Sequence, residues 1–317
     1  YYKNMFFNIV MAVIVAILGI IALKFQMLYL AVVLFGLAIL WSVTPSVMWD
    51  LSQKLVNEKA INLIDSKDKE YLKEIAKDTW KFFKDNLNEE NNYLPPDNYQ
   101  DDRKIKLVDR TSSTNIGLAL LAVVSANDLN YEDKSSTVVL INKMLDVIGS
   151  LQKWYGHLYN WYNIRTLQPL EPKYVSTVDS GNFVGYLYVV KEWAYENELK
   201  DIYNKCSKLI DDTDFSKLFD TDKKIFSIGF DVEKNELTDS YYDLLASEAR
   251  QASFIAIAKK DVDVKHWSKL SRTLTTLNKY KGLVSWSGTS FEYLMPNVNM
   301  PKYEGTLLDE TCKFMVM

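Results

Sequence analysis

The sequence predicts a mainly α protein in two parts, a transmembrane helical hairpin followed by a larger helical domain facing water. Three observations lead there. Two uncharged apolar runs open the chain, at 5–23 and 27–49. Beyond residue 50, apolar residues recur at threes and fours with charges between them, the period of an amphipathic helix. The strand-like stretches, such as 224–232 and 282–288, are isolated and too few for a sheet of their own.

Each of the first two runs is long enough to cross a hydrocarbon core about 30 Å thick. A cleaved signal peptide fits less well, because the chain opens with Tyr1, lacks a basic leader and has no small-residue cleavage site before the second run. The connection Lys24-Phe25-Gln26 permits only an antiparallel hairpin, which puts Lys3 and everything after Asp50 on one side of the membrane. Trp41 and Trp49 suit the interface at that exit. Lys24 marks the loop, and Lys54 and Lys59 are offset by Asp50 and Glu58, so the charge balance leans only slightly toward a cytoplasmic domain.

The second part, 51–317, is read as helical at 69–87, 116–129, 135–151, 182–199, 201–210, 240–260 and 264–275. The first of these spaces Tyr71, Leu72, Ile75, Trp80 and Phe83 along one face.

With 317 residues, 48% hydrophobic and 25% charged, the chain can bury a real core and is not disordered. A net charge of −4 and scattered basic residues argue against nucleic acid as a partner. Cys206, Cys312, His157 and His266 form neither a metal-ligand spacing nor a disulfide framework, so two reduced thiols and no metal or cofactor are expected. The two histidines read as core or rim residues.

The loops are rich in aromatic and polar residues. Residues 154–182 carry Trp154, Tyr155, Tyr159, Trp161, Tyr162 and Tyr174 beside His157, Asn160, Asn163, Arg165, Asp179 and Asn182. Flat rings cover apolar sugar faces while amides, acids and Arg bond hydroxyls, so a carbohydrate cleft is one reading. Capping of the core is the other. Glu292 is a lone acid in "SWSGTSFEYLMP" (285–296), among aromatics and aliphatics that could raise its pKa.

In order along the chain, "DRTSSTNIGLALLAVVSANDL" (109–129), "GHLYNWYNIRTLQPLEPKYVSTVDSGNFVGYL" (156–187), "FSIGFDVEKNELTDSYYDLLASEARQASFIAIAKKDV" (226–262), "HWSKL" (266–270), "SWSGTSFEYLMP" and "EGTLLDETC" (304–312) resemble the middle region of cyclic β-1,2-glucan synthases. The resemblance covers nearly the whole second part, although the stretch between Gly185 and Phe226 is shorter than the family pattern. It implies a glycoamylase-like (α/α)6 barrel, here an incomplete one, that transglycosylates linear β-1,2-glucan into rings. It also implies a multi-pass protein of the inner membrane with its soluble domain in the cytoplasm, and β-1,2-glucan, the lipid bilayer and the other domains of the same synthase chain as partners. A β-1,2-glucan hydrolase and a non-catalytic glucan-binding membrane module are the alternatives.

Such chemistry needs two carboxyl groups flanking the glycosidic bond. The resemblance makes Glu292 one of them, with an acid role favoured by its aromatic surroundings. The second is expected downstream of Met317, which would leave this chain inactive by itself and only marginally folded. If it lies within the chain, Asp179, Asp243, Glu248 and Glu304 are the choices. Trp161, Tyr162, Asp179, Asn182, Tyr242, Asp243, Glu248, Arg250 and Trp286 are candidate substrate contacts. Each has a structural alternative: Asp179 as the cap of a helix starting near Asn182, Asp243, Glu248 and Arg250 as an ion pair, Arg110 and Asn115 as a tie between loops, and Glu304 and Asp309 as loop and cap residues.

Overall fold

The computed structural model describes residues 5–52, 65–104, 106–277 and 280–316. The chain divides into two compact units, Tyr1–Leu63 and Ile64–Met317. Lys3, Lys54, Glu58 and Lys59, which entered the sidedness argument, lie outside the described residues, as does the side chain of Asp50.

In the first unit α1 (Phe6–Lys24) and α2 (Leu28–Ser52) pack against each other across a three-residue link. The seam consists of small residues: Ala12, Val15, Gly19 and Ala22 on α1 face the side of α2 that buries Ala31, Ala38 and Pro45. A Cβ on Gly19 would come within 3.1 Å of the Phe35 ring, so glycine lets the helices approach. The outward side chains are apolar and exposed, and Phe6–Lys24 and Leu28–Trp49 are long and apolar enough to cross a membrane.

The second unit is helical in layers. Its helices include α3 (Ser66–Asn86), α4 (Ser113–Asp128), α5 (Lys134–Ser150), α6 (Thr177–Glu196), α7 (Lys200–Asp212) and α8 (Arg250–Ala258). Helices α4, α6 and α8 pack side by side, and α3, α5 and α7 lie against them. Helix α6 sits at the centre of this layer, and Ser180 through Leu187 are all buried. A Cβ on Gly181 would lie 2.3 Å from the Ala252 Cβ, so the α6–α8 approach depends on that glycine. One continuous core runs through Leu120, Ile141, Met144, Ile148, Val184, Leu187 and Phe215.

The helix starts follow the caps. Asp65, Ser112, Asp133 and Ser176 each accept the backbone N–H three residues on, satisfying a donor that the first turn leaves unpaired. Short strands lead into α4 and α6: Arg110–Thr111 pairs with Tyr162–Asn163, and Tyr174–Ser176 pairs with Gly229–Asp231. Two helices expected from the sequence are cut back. The stretch 240–260 is helical only over α8, because Tyr241 and Tyr242 join a ladder with Ser227 and Phe226 and Leu244 bridges to Ser271. The stretch 264–275 keeps α9 (Lys265–Lys269) and then extends, with Leu274–Leu277 pairing with Tyr280–Leu283. Two helices not expected, α10 (Ser290–Leu294) and α11 (Leu307–Met315), start at Thr289 and Thr306 caps.

Candidate active site

The N-terminal ends of α4, α6 and α8 converge, and the polar side chains there bond to one another. Thr114, in the first turn of α4, donates its hydroxyl to Asp179 Oδ1 at 2.6 Å. Asn182, one turn further along α6, donates Nδ2 to Thr114 Oγ1 at 3.1 Å and to Glu248 Oε1 at 2.6 Å. Glu248 sits two residues before α8 begins. Burial, and after it the charges of Asp179 and Glu292, push Glu248 up to about 7, against the Asn182 N–H, which favours the ionised form. A carboxyl in that state is mostly protonated below neutral pH and about half protonated near pH 7.

Glu292 is in the opposite condition. Its Oε2 accepts from Ser285 Oγ at 2.8 Å, Ser287 N at 2.8 Å, Ser287 Oγ at 2.7 Å and Gly288 N at 3.1 Å. Gly288 adopts φ +68, a left-handed conformation that glycine takes without strain and that lets the loop turn its N–H onto the carboxylate. Burial works to raise the Glu292 pKa, but the donors of Ser287, Ser285 and Gly288 hold it below the usual carboxylate range. The expectation that its aromatic surroundings would make Glu292 the protonated group is therefore corrected: hydrogen bonds outweigh them. Phe291 and Trp286 point largely to solvent, and the sequence motif hid the serines as anion ligands.

Tyr242 lies within the electrostatic reach of these groups. Its phenol is raised chiefly by burial, with the charges of Tyr174, Asp179, Glu248 and Glu292 adding to it. Tyr186 is raised by burial and then by Glu248 and Asp179, and its hydroxyl points at Met295 Sδ, 3.3 Å away.

The remaining candidates separate. Asn182 is fully buried, so it serves the carboxylates from behind. Asp179 occupies the third position of α6, which starts at Thr177 under a Ser176 cap; the expected cap role is thus corrected. Arg250 is buried and makes no ion pair with Asp243 or Glu248. Its guanidinium donates to the carbonyls of Ser247, Glu292 and Tyr293 and to Asn297 Oδ1, pinning the 292–297 segment to α8. Asp243 accepts the Ser271 N–H on its carbonyl, and its Oδ1 is buried without a hydrogen-bond partner.

Tyr162, expected to touch substrate, is fully buried; its hydroxyl donates to the Gln152 carbonyl and accepts from Tyr159 N, which makes it a core residue. Trp161 has the Arg110 guanidinium 4.2 Å from its ring centroid, and Asp97 binds both Arg110 and Asn115, so these residues tie loops. Trp154 stacks on Phe230 and Tyr159 is buried, so much of the aromatic loop caps the core. Trp286 is 58% exposed, in the loop that holds Glu292.

His157 and His266 are buried, bonded to the carbonyls of Asp214 and Lys224, and lowered by desolvation. Cys206 and Cys312 are buried free thiols. Asp309 is the third residue of α11, which starts at Leu307 under a Thr306 cap, so its expected cap role is corrected, and it pairs with Lys302 and Lys313. Among the described residues no group of three His, Cys, Asp or Glu is placed to hold a metal. An apolar groove of about 520 Å³, lined by Tyr188, Trp193, Phe254 and Met300, contains none of the carboxylate cluster.

Comparison with known proteins gives the fold and a relative. No protein-family profile matches the chain. The chain is 29% identical, over 406 aligned positions, to the cyclic β-(1,2)-glucan synthase of Rhizobium meliloti strain 1021, covering 88% of this chain and 14% of that protein. The resemblance read from the motifs is thereby borne out, for a stretch that is a small part of the relative. Among solved structures, the endo-β-1,2-glucanase of Chitinophaga pinensis in complex with sophorotriose and glucose superposes with TM-score 0.68 and 14% identity, over 78% of this chain and 65% of that one. The endo-β-1,2-glucanase of Talaromyces funiculosus with sophorose gives 0.58 and 13%, over 74% and 58%. A provisional glucoamylase from Bacteroides fragilis gives 0.60 and 16%, over 70% and 57%. The helical layers are those of glucoamylase-like (α/α)6-barrel enzymes.

Proposed function

We propose that the 64–317 unit transglycosylates linear β-1,2-glucan into cyclic glucan, as one module of a membrane-bound synthase whose other domains supply the linear chain. The observation that carries this is a pair of carboxyl groups in opposite states: Glu248 lifted to about 7, and Glu292 held ionised by four donors. The relative at 29% identity, a cyclic β-(1,2)-glucan synthase, supports the substrate.

In this reading Glu248 gives its proton to the glycosidic oxygen of the departing glucan while the Glu292 carboxylate attacks the anomeric carbon. The leaving chain departs with a new hydroxyl, and the sugar is held as an ester on Glu292. The ionised Glu248 then takes the proton from the 2-hydroxyl at the far end of the held chain. That oxygen displaces Glu292 from the anomeric carbon, which closes the ring and restores both carboxyl groups. Water in place of the sugar hydroxyl would give hydrolysis, a second reading favoured by the likeness to two endo-β-1,2-glucanases. Trp286, exposed beside Glu292, is assigned as a sugar platform.

Incubating the protein with linear β-1,2-glucan and separating the products by mass tests this directly. Products lighter than a linear chain of the same length by one water mean cyclisation, linear short products mean hydrolysis, and no product with measurable glucan binding means a binding module. The membrane assignment is that α1 and α2 span the bilayer and the second unit is cytoplasmic. Reporter fusions at Gln26 and Asn92 are expected on opposite sides, with Asn92 inside. The same side for both would remove the spanning hairpin.

A further inference from the structure

We propose that Thr114, held by Asp179, is a positioning residue that fixes the direction of the Asn182 amide and thereby decides which oxygen of Glu248 carries the acid proton. A carboxylate only accepts, so the Thr114 hydroxyl hydrogen is committed to Asp179 Oδ1, 2.6 Å away. Thr114 Oγ1 can then only accept from Asn182, and the group it meets at 3.1 Å must be Nδ2. The second hydrogen of the same nitrogen goes to Glu248 Oε1 at 2.6 Å.

With Oε1 receiving a donor, a proton cannot sit between it and Asn182. Because the hydroxyl oxygen of an acid is the poorer acceptor, the Asn182 N–H on Oε1 favours the acid proton on Oε2. The arrangement has a visible cost, since Asn182 Oδ1 is left buried with no hydrogen-bond partner. A free amide would turn to improve its bonding. The relay holds it.

The direction of the amide also bears on how readily Glu248 ionises. A fixed N–H favours the carboxylate, whereas an amide able to turn would offer its oxygen to the protonated acid and stabilise that form. The other titratable groups facing Glu248 are Asp179 and Tyr186 from α6, Glu292 from α10, and Tyr242 from the strand Tyr241–Tyr242. Of these only Asp179 is touched by a change at Thr114, which takes a hydroxyl donor from its carboxylate.

The inference rests on Glu248 being the acid, and the test separates the two claims because it needs no substrate. The full chain, in detergent and carrying ¹³C at the glutamate carboxyls, is titrated by NMR, with the Glu248 signal identified by its loss in Glu248→Gln. Thr114→Val is isosteric and removes the relay; the Glu248 midpoint is expected to rise by about 0.5–1 pH unit, the scale of one hydrogen bond changing sides. Thr114→Ser keeps the hydroxyl and is expected to titrate as the wild type. In an Asp179→Asn background, where residue 179 no longer dictates the hydroxyl direction, Thr114→Val is expected to shift the midpoint by less than half as much. A Thr114→Val midpoint that stays put while thermal stability falls, or a Ser variant that moves with the Val variant, overturns the relay. A wild-type Glu248 titrating in the ordinary glutamate range overturns the acid assignment instead.

Discussion

Glu248→Gln is expected to lower the rate on linear β-1,2-glucan by roughly 10²–10⁴-fold, the scale of removing a general acid. The amide keeps the volume of the side chain and can still accept the Asn182 N–H that now meets Oε1 at 2.6 Å, so the fold and the relay should survive. What is lost is the proton. A substrate with a leaving group that needs none, such as the β-sophorosyl fluoride, should therefore release its first equivalent of fluoride from Glu248→Gln at close to the wild-type rate, after which turnover stalls at the ester on Glu292 that needs Glu248 as base. Equal loss on glucan and in that first release of fluoride would mean that the variant had damaged the site, and full activity on glucan would remove Glu248 from the chemistry.

Glu292→Gln should cost at least about a hundredfold, on the fluoride as well as on the glucan, because the missing charge is needed at the anomeric carbon whatever leaves. The loop should remain closed, since the glutamine oxygen can take the N–H donors of Ser287 and Gly288 that now reach Oε2 at 2.8 and 3.1 Å. The contrast between the two variants assigns the roles: loss on glucan with the first release of fluoride kept marks the acid and base, and loss of both marks the nucleophile. A Glu292→Gln protein that keeps the fluoride reaction would return Glu292 to a structural part in its serine-rich turn.

The architecture was legible in the sequence wherever one element decides its own form. The two apolar runs became α1 and α2 within a few residues, and α3 to α7 appear near their expected places because amphipathic period and caps are local signals. The stretch from Tyr241 to Ala249 misled because its helix-like pattern is overridden by a ladder to Phe226 and Ser227, a partner that periodicity does not see.

The site was legible as residue types but not as roles. Glu292 was singled out for its apolar neighbours, yet its state is set by Ser285, Ser287 and Gly288, within its own motif. Glu248 looked like half of an ion pair with Arg250, two positions away, but Arg250 turns to the Glu292 and Tyr293 carbonyls, and the acid is left with an amide. Thr114 gave no signal beyond its "STN" context; only the meeting of α4 with α6 shows what it holds. The aromatic loop shows the limit of composition, since Tyr162 and Trp161 share a sequence neighbourhood with Tyr174 but only Tyr174 lies by the carboxylates.

The pH dependence of kcat/KM on linear β-1,2-glucan tests the carboxyl pair most directly, because it reads both groups in the free protein at once. Glu248 must be protonated to act as an acid, so the rate should be full below its pKa and fall as pH rises through about 7. Glu292 must be ionised, so the low-pH loss should begin only below the usual glutamate range. A rate that instead climbs as pH passes 7 would require Glu248 in its ionised form for the first step, and would contradict the assignment of acid and nucleophile on which the proposed function stands.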